Sequence, residues 1–165
     1  MGKLFPASVC RLFLGLWVVL LAGPALALEA GTQLGPWTLT DQFGKSQTLN
    51  DQTRVLLVAK DMTASKLVTQ ALTDQPKGFL AERGILYLAD IHGMPAIITR
   101  LVALPQMRSY SFPIVLDKDG NIAKRYPTQA KVVTWYQLDH GKVLAERTFS
   151  DAKALAEALK QAPVR

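Results

Sequence analysis

Arg54-Val55-Leu56-Leu57-Val58-Ala59-Lys60-Asp61-Met62-Thr63-Ala64-Ser65-Lys66-Leu67-Val68-Thr69-Gln70-Ala71-Leu72 is the stretch on which the fold turns. Residues 54–59 are almost continuously apolar, the pattern of a strand buried on both faces rather than one with a wet side. The period then changes. Leu67, Val68, Ala71 and Leu72 recur at helical spacing, and Thr63 is the predicted N-cap of a helix running to about Asp74. A doubly buried strand feeding directly into an amphipathic helix is the repeating unit of α/β architecture.

Downstream, Pro76 breaks the helix, and residues 78–83 are read as one further helical turn. Ile85-Leu86-Tyr87-Leu88-Ala89 is a second buried strand. Pro95 sits at a favoured first helical position, and Ile97, Ile98, Leu101, Val102 and Leu104 are expected to be that helix's core-facing side. Pro113 to Leu116 reads as a strand closed by the turn Asp117-Lys118-Asp119-Gly120, with residues 122–126 as a helical turn. Residues 132–138 and 142–149 form a hairpin around Asp139-His140-Gly141, and Ser150 is the predicted cap of a last helix with Leu155, Ala158 and Leu159 inward. Upstream, Trp37 to Thr40 and Ser46 to Leu49 flank a turn-rich Asp41-Gln42-Phe43-Gly44-Lys45, an N-terminal β-hairpin. The whole is a three-layer α/β/α sandwich on a central mixed sheet.

The N-terminus reads differently. Lys3 and Arg11 precede the apolar run Leu12 to Leu21, and Ala25-Leu26-Ala27 offers small residues for cleavage. Residues 1–27 are therefore expected to be a secretory signal cleaved after Ala27, leaving one domain over 28–165 in the periplasm with no stable membrane insertion. The apolar run is short of the roughly 20 residues that a membrane span needs. Loss of Lys3 and Arg11 leaves 17 basic against 13 acidic residues, a net charge of +4 where the full 165-residue chain has +6. The positive residues are scattered, which argues a mixed solvated surface and no nucleic-acid partner.

Three segments carry a family resemblance. Residues 35–45, Gly-Pro-Trp-Thr-Leu-Thr-Asp-Gln-Phe-Gly-Lys, are similar to the opening hairpin of the peroxiredoxin-like and cytochrome-maturation-like branches of the thioredoxin superfamily. Residues 112–126, from Phe112-Pro113 through Asp119-Gly120 to Tyr126, resemble their central segment, and residues 133–142 resemble their late strand and turn. The resemblance implies a thioredoxin-like fold. It also implies where an active site would be, and there the pattern departs. The peroxiredoxin frame Pro-x-x-x-Thr-x-x-Cys reads Ala59, Thr63 and Lys66, and Val133 stands at the place of the cis-proline or arginine. The single cysteine, Cys10, is inside the expected signal. A thiolate is the nucleophile of this superfamily, so no thiol oxidoreductase or peroxidase activity is expected.

The candidate surface is therefore a degenerate active-site face comprising Lys60, Thr63, Ser65, Lys66 and Val133. The expected role is a non-catalytic binding module with a periplasmic protein partner and no cofactor. Three alternatives stay open. Lys60, Thr63, Ser65 and Lys66 at a helix start could cradle a small anion, set against the plain reading of a solvated, capped helix end. His92 and Met94 carry donors that suit copper, set against a loop histidine and a packed methionine, since two ligands do not make a site. The chain could also assist a thiol enzyme whose thiol belongs to the partner. Asp117 and Asp119 lack the spacing of a calcium loop, and no hydrolase, dinucleotide or phosphate-loop motif occurs.

Overall fold

A computed structural model describes residues 27–164. The expected signal segment and Cys10 lie outside the described residues, apart from Ala27. Among the described residues, no helix is long and apolar enough to cross a membrane.

The stretch 54–72 becomes strand β3 (Val55–Ala59), every residue of which is buried, and helix α1 (Met62–Leu72). β3 is the centre of a five-stranded sheet ordered β5-β4-β3-β6-β7. β4 (Ile85–Asp90) pairs parallel with β3, and β5 (Val115–Asp117) pairs parallel with β4. β6 (Val133–Asp139) runs antiparallel on the other side of β3, and β7 (Lys142–Phe149) is its hairpin partner. The mixed sheet follows from the connections: helical crossovers give parallel neighbours, and the tight turn at His140-Gly141 gives an antiparallel one.

Alternation along the strands splits the core in two. Val55, Leu57, Tyr87, Val133 and Trp135 face α1 and the terminal helix α5 (Ala152–Gln161), where Val68, Leu72, Leu155 and Leu159 meet them. Leu56, Val58, Leu88, Tyr136 and Leu138 face the other way. They are covered by the hairpin of β1 (Trp37–Thr40) and β2 (Ser46–Leu49) and by a single 3-10 turn at Ala123–Arg125. Trp37 and Tyr126 lock that second layer, the indole N–H donating to the phenol oxygen at 2.7 Å. The architecture is the expected mixed-sheet sandwich with its N-terminal hairpin.

Buried polar groups fix the joints. Gln42, almost wholly enclosed, donates to the carbonyls of Met107 and Phe112 and accepts the Ile114 N–H at 2.7 Å. Asp117 accepts the N–H groups of Ile122 and Ala123, which is the turn role read from its sequence context.

Three sequence expectations change. The cap of α1 is Asp61, two residues before Thr63, and α1 ends at Leu72. The cap of α5 is Asp151, whose carboxylate accepts the Ala154 N–H, rather than Ser150. In both cases a carboxylate within two residues of the expected hydroxyl is the stronger acceptor for an N-terminal N–H. The third change is larger. The segment 96–108 is helical as α3 (Ala96–Ile98), a π turn (Thr99–Ala103) and α4 (Leu104–Arg108). Ile97, Ile98, Leu101 and Val102 are 64, 45, 70 and 56 % exposed, while Thr99 is buried. Of the five apolar residues expected inward, Leu104 alone packs on the core, joined there by Met107. Pro105 accounts for the π turn, because it lacks the N–H that would continue α-helical bonding across this point and its ring crowds the carbonyl four residues back.

Candidate functional site

The C-terminal ends of β3 and β4 open onto the start of α1, the loop 91–95 and the segment 96–108. Lys60 follows β3 and Asp90 ends β4. Burial lowers the Lys60 ammonium from its ordinary pKa, and the Asp90 carboxylate partly opposes that shift. Asp90 also accepts the backbone N–H of His92 and lies 2.6 Å from His92 Nδ1.

Asp61 organises the helix start. One carboxylate oxygen accepts the Ala64 N–H at 2.8 Å and the other accepts the Lys131 N–H at 2.6 Å. Lys131 has a left-handed backbone, φ 64°, so the loop before β6 is bent sharply against α1 and pinned there. Burial pushes the Asp61 pKa up, but the N–H groups of Ala64, Lys131 and Thr63, with the Lys131 charge, outweigh it and hold the carboxyl below its usual range. A carboxylate in this position takes the place an incoming anion would need. That weighs against an anion cradle built from Lys60, Thr63, Ser65 and Lys66.

Below the helix start is a cavity of about 450 Å³ between α1, β4, the loop 91–95 and α4. Ser65 and Lys66 line it, as do Tyr87 and Tyr110. Ser65 is half-buried and shares a hydrogen bond with the Tyr87 phenol, whose pKa burial pushes up to about 12. The remaining walls include Met62, Met94 and Met107. Lys66 is exposed and is the one charged residue of the lining.

The expected site residues thus divide. Ser65 and Lys66 meet at the cavity. Lys60 is half-buried outside the cavity wall, where it feels the Asp90 charge, and Thr63 is exposed outside the cavity wall. Val133 is fully buried in the α1-side core, opposite Phe149 on β7, and offers no surface for contact. No peptide bond among the described residues is cis. His92 and Met94 also part, since Met94 joins the cavity wall whereas His92 packs beside Gly120 and pairs with Asp90. Among the described residues no group of three His, Cys, Asp or Glu side chains could hold a metal.

Sequence reasoning missed Asp61, Tyr87, Tyr110 and the convergence of the methionines. Asp61 was legible, since aspartate before an amphipathic run is an N-cap signal. The methionines were not, because no spacing connects residues 62, 94 and 107. A larger cavity of about 610 Å³ lies at the opposite end of β3, where Arg54 and Asp139 pair at 2.7 Å. Those charges satisfy one another, and the cavity stands away from the α1 start.

No protein-family model and no curated protein matches the sequence. Solved structures do. A crystal structure of peroxidoxin BcpB from Mycobacterium tuberculosis matches with a TM-score of 0.52 at 16% identity, covering 84% of this chain and 99% of that one. A thio-disulfide isomerase from Thermus thermophilus matches with a TM-score of 0.52 at 22% identity, covering 84% and 99%. A peroxiredoxin-like protein from Aquifex aeolicus matches with a TM-score of 0.53 at 12% identity, covering 86% and 90%.

Proposed function

We propose, on the premise that this chain has the thioredoxin-like fold, that it is an exported binding module working without thiol chemistry. Its contact surface is the end of the sheet where thioredoxin-fold enzymes carry their active site. The observation that carries this reading is the outward apolar face of segment 96–108: Ile97, Ile98, Leu101 and Val102 are all exposed within six residues. Isolated apolar side chains on a surface are ordinary, but a contiguous set on one helical face marks an interaction site. The partner is a protein of the same compartment. Export itself rests on the composition of residues 1–27, and the absence of thiol chemistry rests on Cys10 being the single cysteine.

The test is quantitative affinity capture from periplasmic extract, with the wild-type protein beside Leu101→Glu and Lys66→Glu. Enrichment of a protein by the wild type that Leu101→Glu abolishes and Lys66→Glu weakens is the expected result. Equal capture by all three baits would refute the assignment of this face. Retention of residues 1–27 in periplasmic material, read from intact mass, would refute the cleaved signal.

A further inference from the structure

We propose that Met62, Met94 and Met107 form a binding site for a soft, singly charged metal ion, copper(I) being the biological candidate. They are all the methionines among the described residues, and they come from three separate elements: the first residue of α1, the loop after β4, and α4. The fold brings them to the wall of one cavity of about 450 Å³. Thioether sulfur is a soft, neutral donor that selects copper(I) over harder ions.

The rest of the lining sharpens that selectivity. It contains no carboxylate, imidazole or thiol. Zinc and copper(II), which take imidazole or thiolate, find none of their usual ligands there, and calcium and magnesium find no carboxylate. Three neutral sulfurs bring no negative charge to offset a second positive one, and the Lys66 ammonium on the same wall further disfavours a doubly charged ion. Met62 is 60 % exposed, so one donor is open to solvent and the ion has a route in by exchange from an external carrier. Met94 and Met107 are only half-buried, and the unbranched thioether has rotatable bonds that leave these side chains adaptable, so the site requires the three sulfurs to turn toward a common centre in the cavity.

The site needs no electron transfer. The ion enters and leaves as copper(I), and the sulfurs keep their oxidation state. It is also separable from partner binding, which the outward face of segment 96–108 carries. Leucine at the three positions keeps the apolar volume while removing the sulfur, so the triple variant should still capture the protein partner. Leu101→Glu should do the reverse, losing the partner and keeping the metal.

The experiment uses the full-length chain with Cys10→Ser, so that no thiol competes. Copper(I) is supplied anaerobically and contested with a coloured copper(I) chelator. The expected result is one copper(I) withdrawn per chain, with a sulfur-only first coordination shell by X-ray absorption. Met62→Leu, Met94→Leu and Met107→Leu combined should abolish withdrawal while circular dichroism stays unchanged, and His92→Ala should leave withdrawal intact. Failure to withdraw copper(I), an undiminished triple variant, or nitrogen and oxygen in the first shell would each overturn the site. If the triple variant unfolds, Met62→Leu decides, because its side chain is exposed: about tenfold weaker binding is expected from losing one of three soft donors, and unchanged affinity overturns the proposal.

Discussion

Helix α5 and the segment 96–108 carry the same kind of apolar stripe and turn it in opposite directions. In α5, Leu155, Ala158 and Leu159 are buried against the sheet, and Lys153, Glu157 and Lys160 face water. In 96–108, Ile97, Ile98, Leu101 and Val102 face water, while Thr99 is buried and its hydroxyl bonds back to the Pro95 carbonyl. α5 is an unbroken helix with a carboxylate cap. The other segment is interrupted by a π turn ahead of Pro105, and its core contacts come from Leu104, Met107 and the following Tyr110. Burying apolar surface is the main favourable term in folding. A chain that leaves four such residues exposed on one face forgoes stability there, and such surface marks function.

That contrast is breakable at several strengths. The largest expected effect is Leu155→Ala in α5: the side chain is fully buried, and truncation should cost about 3 kcal/mol, read from denaturant midpoints at constant slope. Gln42→Ala comes next. It strands the Ile114 N–H and the carbonyls of Met107 and Phe112 in the interior, for about 2 kcal/mol. Asp61→Ala should cost about 1 kcal/mol at neutral pH through loss of the α1 cap. Its pH dependence has a definite sign. The folded-state pKa lies below the ordinary 3.8, so the contribution is complete above that value and fades as pH falls through the lower folded-state value. Asp61→Asn, still able to cap, should remove this acid-side loss, and an unchanged acid limb in that variant would disprove the assignment to Asp61. The smallest effect is Leu101→Glu, expected within about 0.5 kcal/mol of wild type because the side chain is exposed. A loss as large as that of Leu155→Ala would mean that the face is part of the folded core and would erase the comparison.

Much of the fold was legible because strands and helices have different periods. β3, β4, β6, β7 and α5 fall within a residue or two of where alternation, apolar runs and turn residues put them. The candidate site was legible in part. The frame of the resemblance marks Thr63 and Lys66 at the helix start, and of these Lys66 lines the cavity together with Ser65, whereas Thr63 does not. Asp61 was readable from capping chemistry but yielded to the neighbouring threonine. Val133 was misjudged because a position counted along a motif says nothing about which side of the sheet a strand residue faces.

By itself the sequence determined the mixed α/β order, the turns at Gly120 and Gly141, and the confinement of thiol chemistry to Cys10. Those depend on residue type and on neighbours a few positions away. The tertiary structure alone decided that the stripe of 96–108 faces water, that Asp61 reaches across to Lys131, and that Met62, Met94 and Met107 share one cavity. Periodicity states which residues share a face, whereas which face is covered, and which distant side chains meet, depends on how the layers close around the sheet.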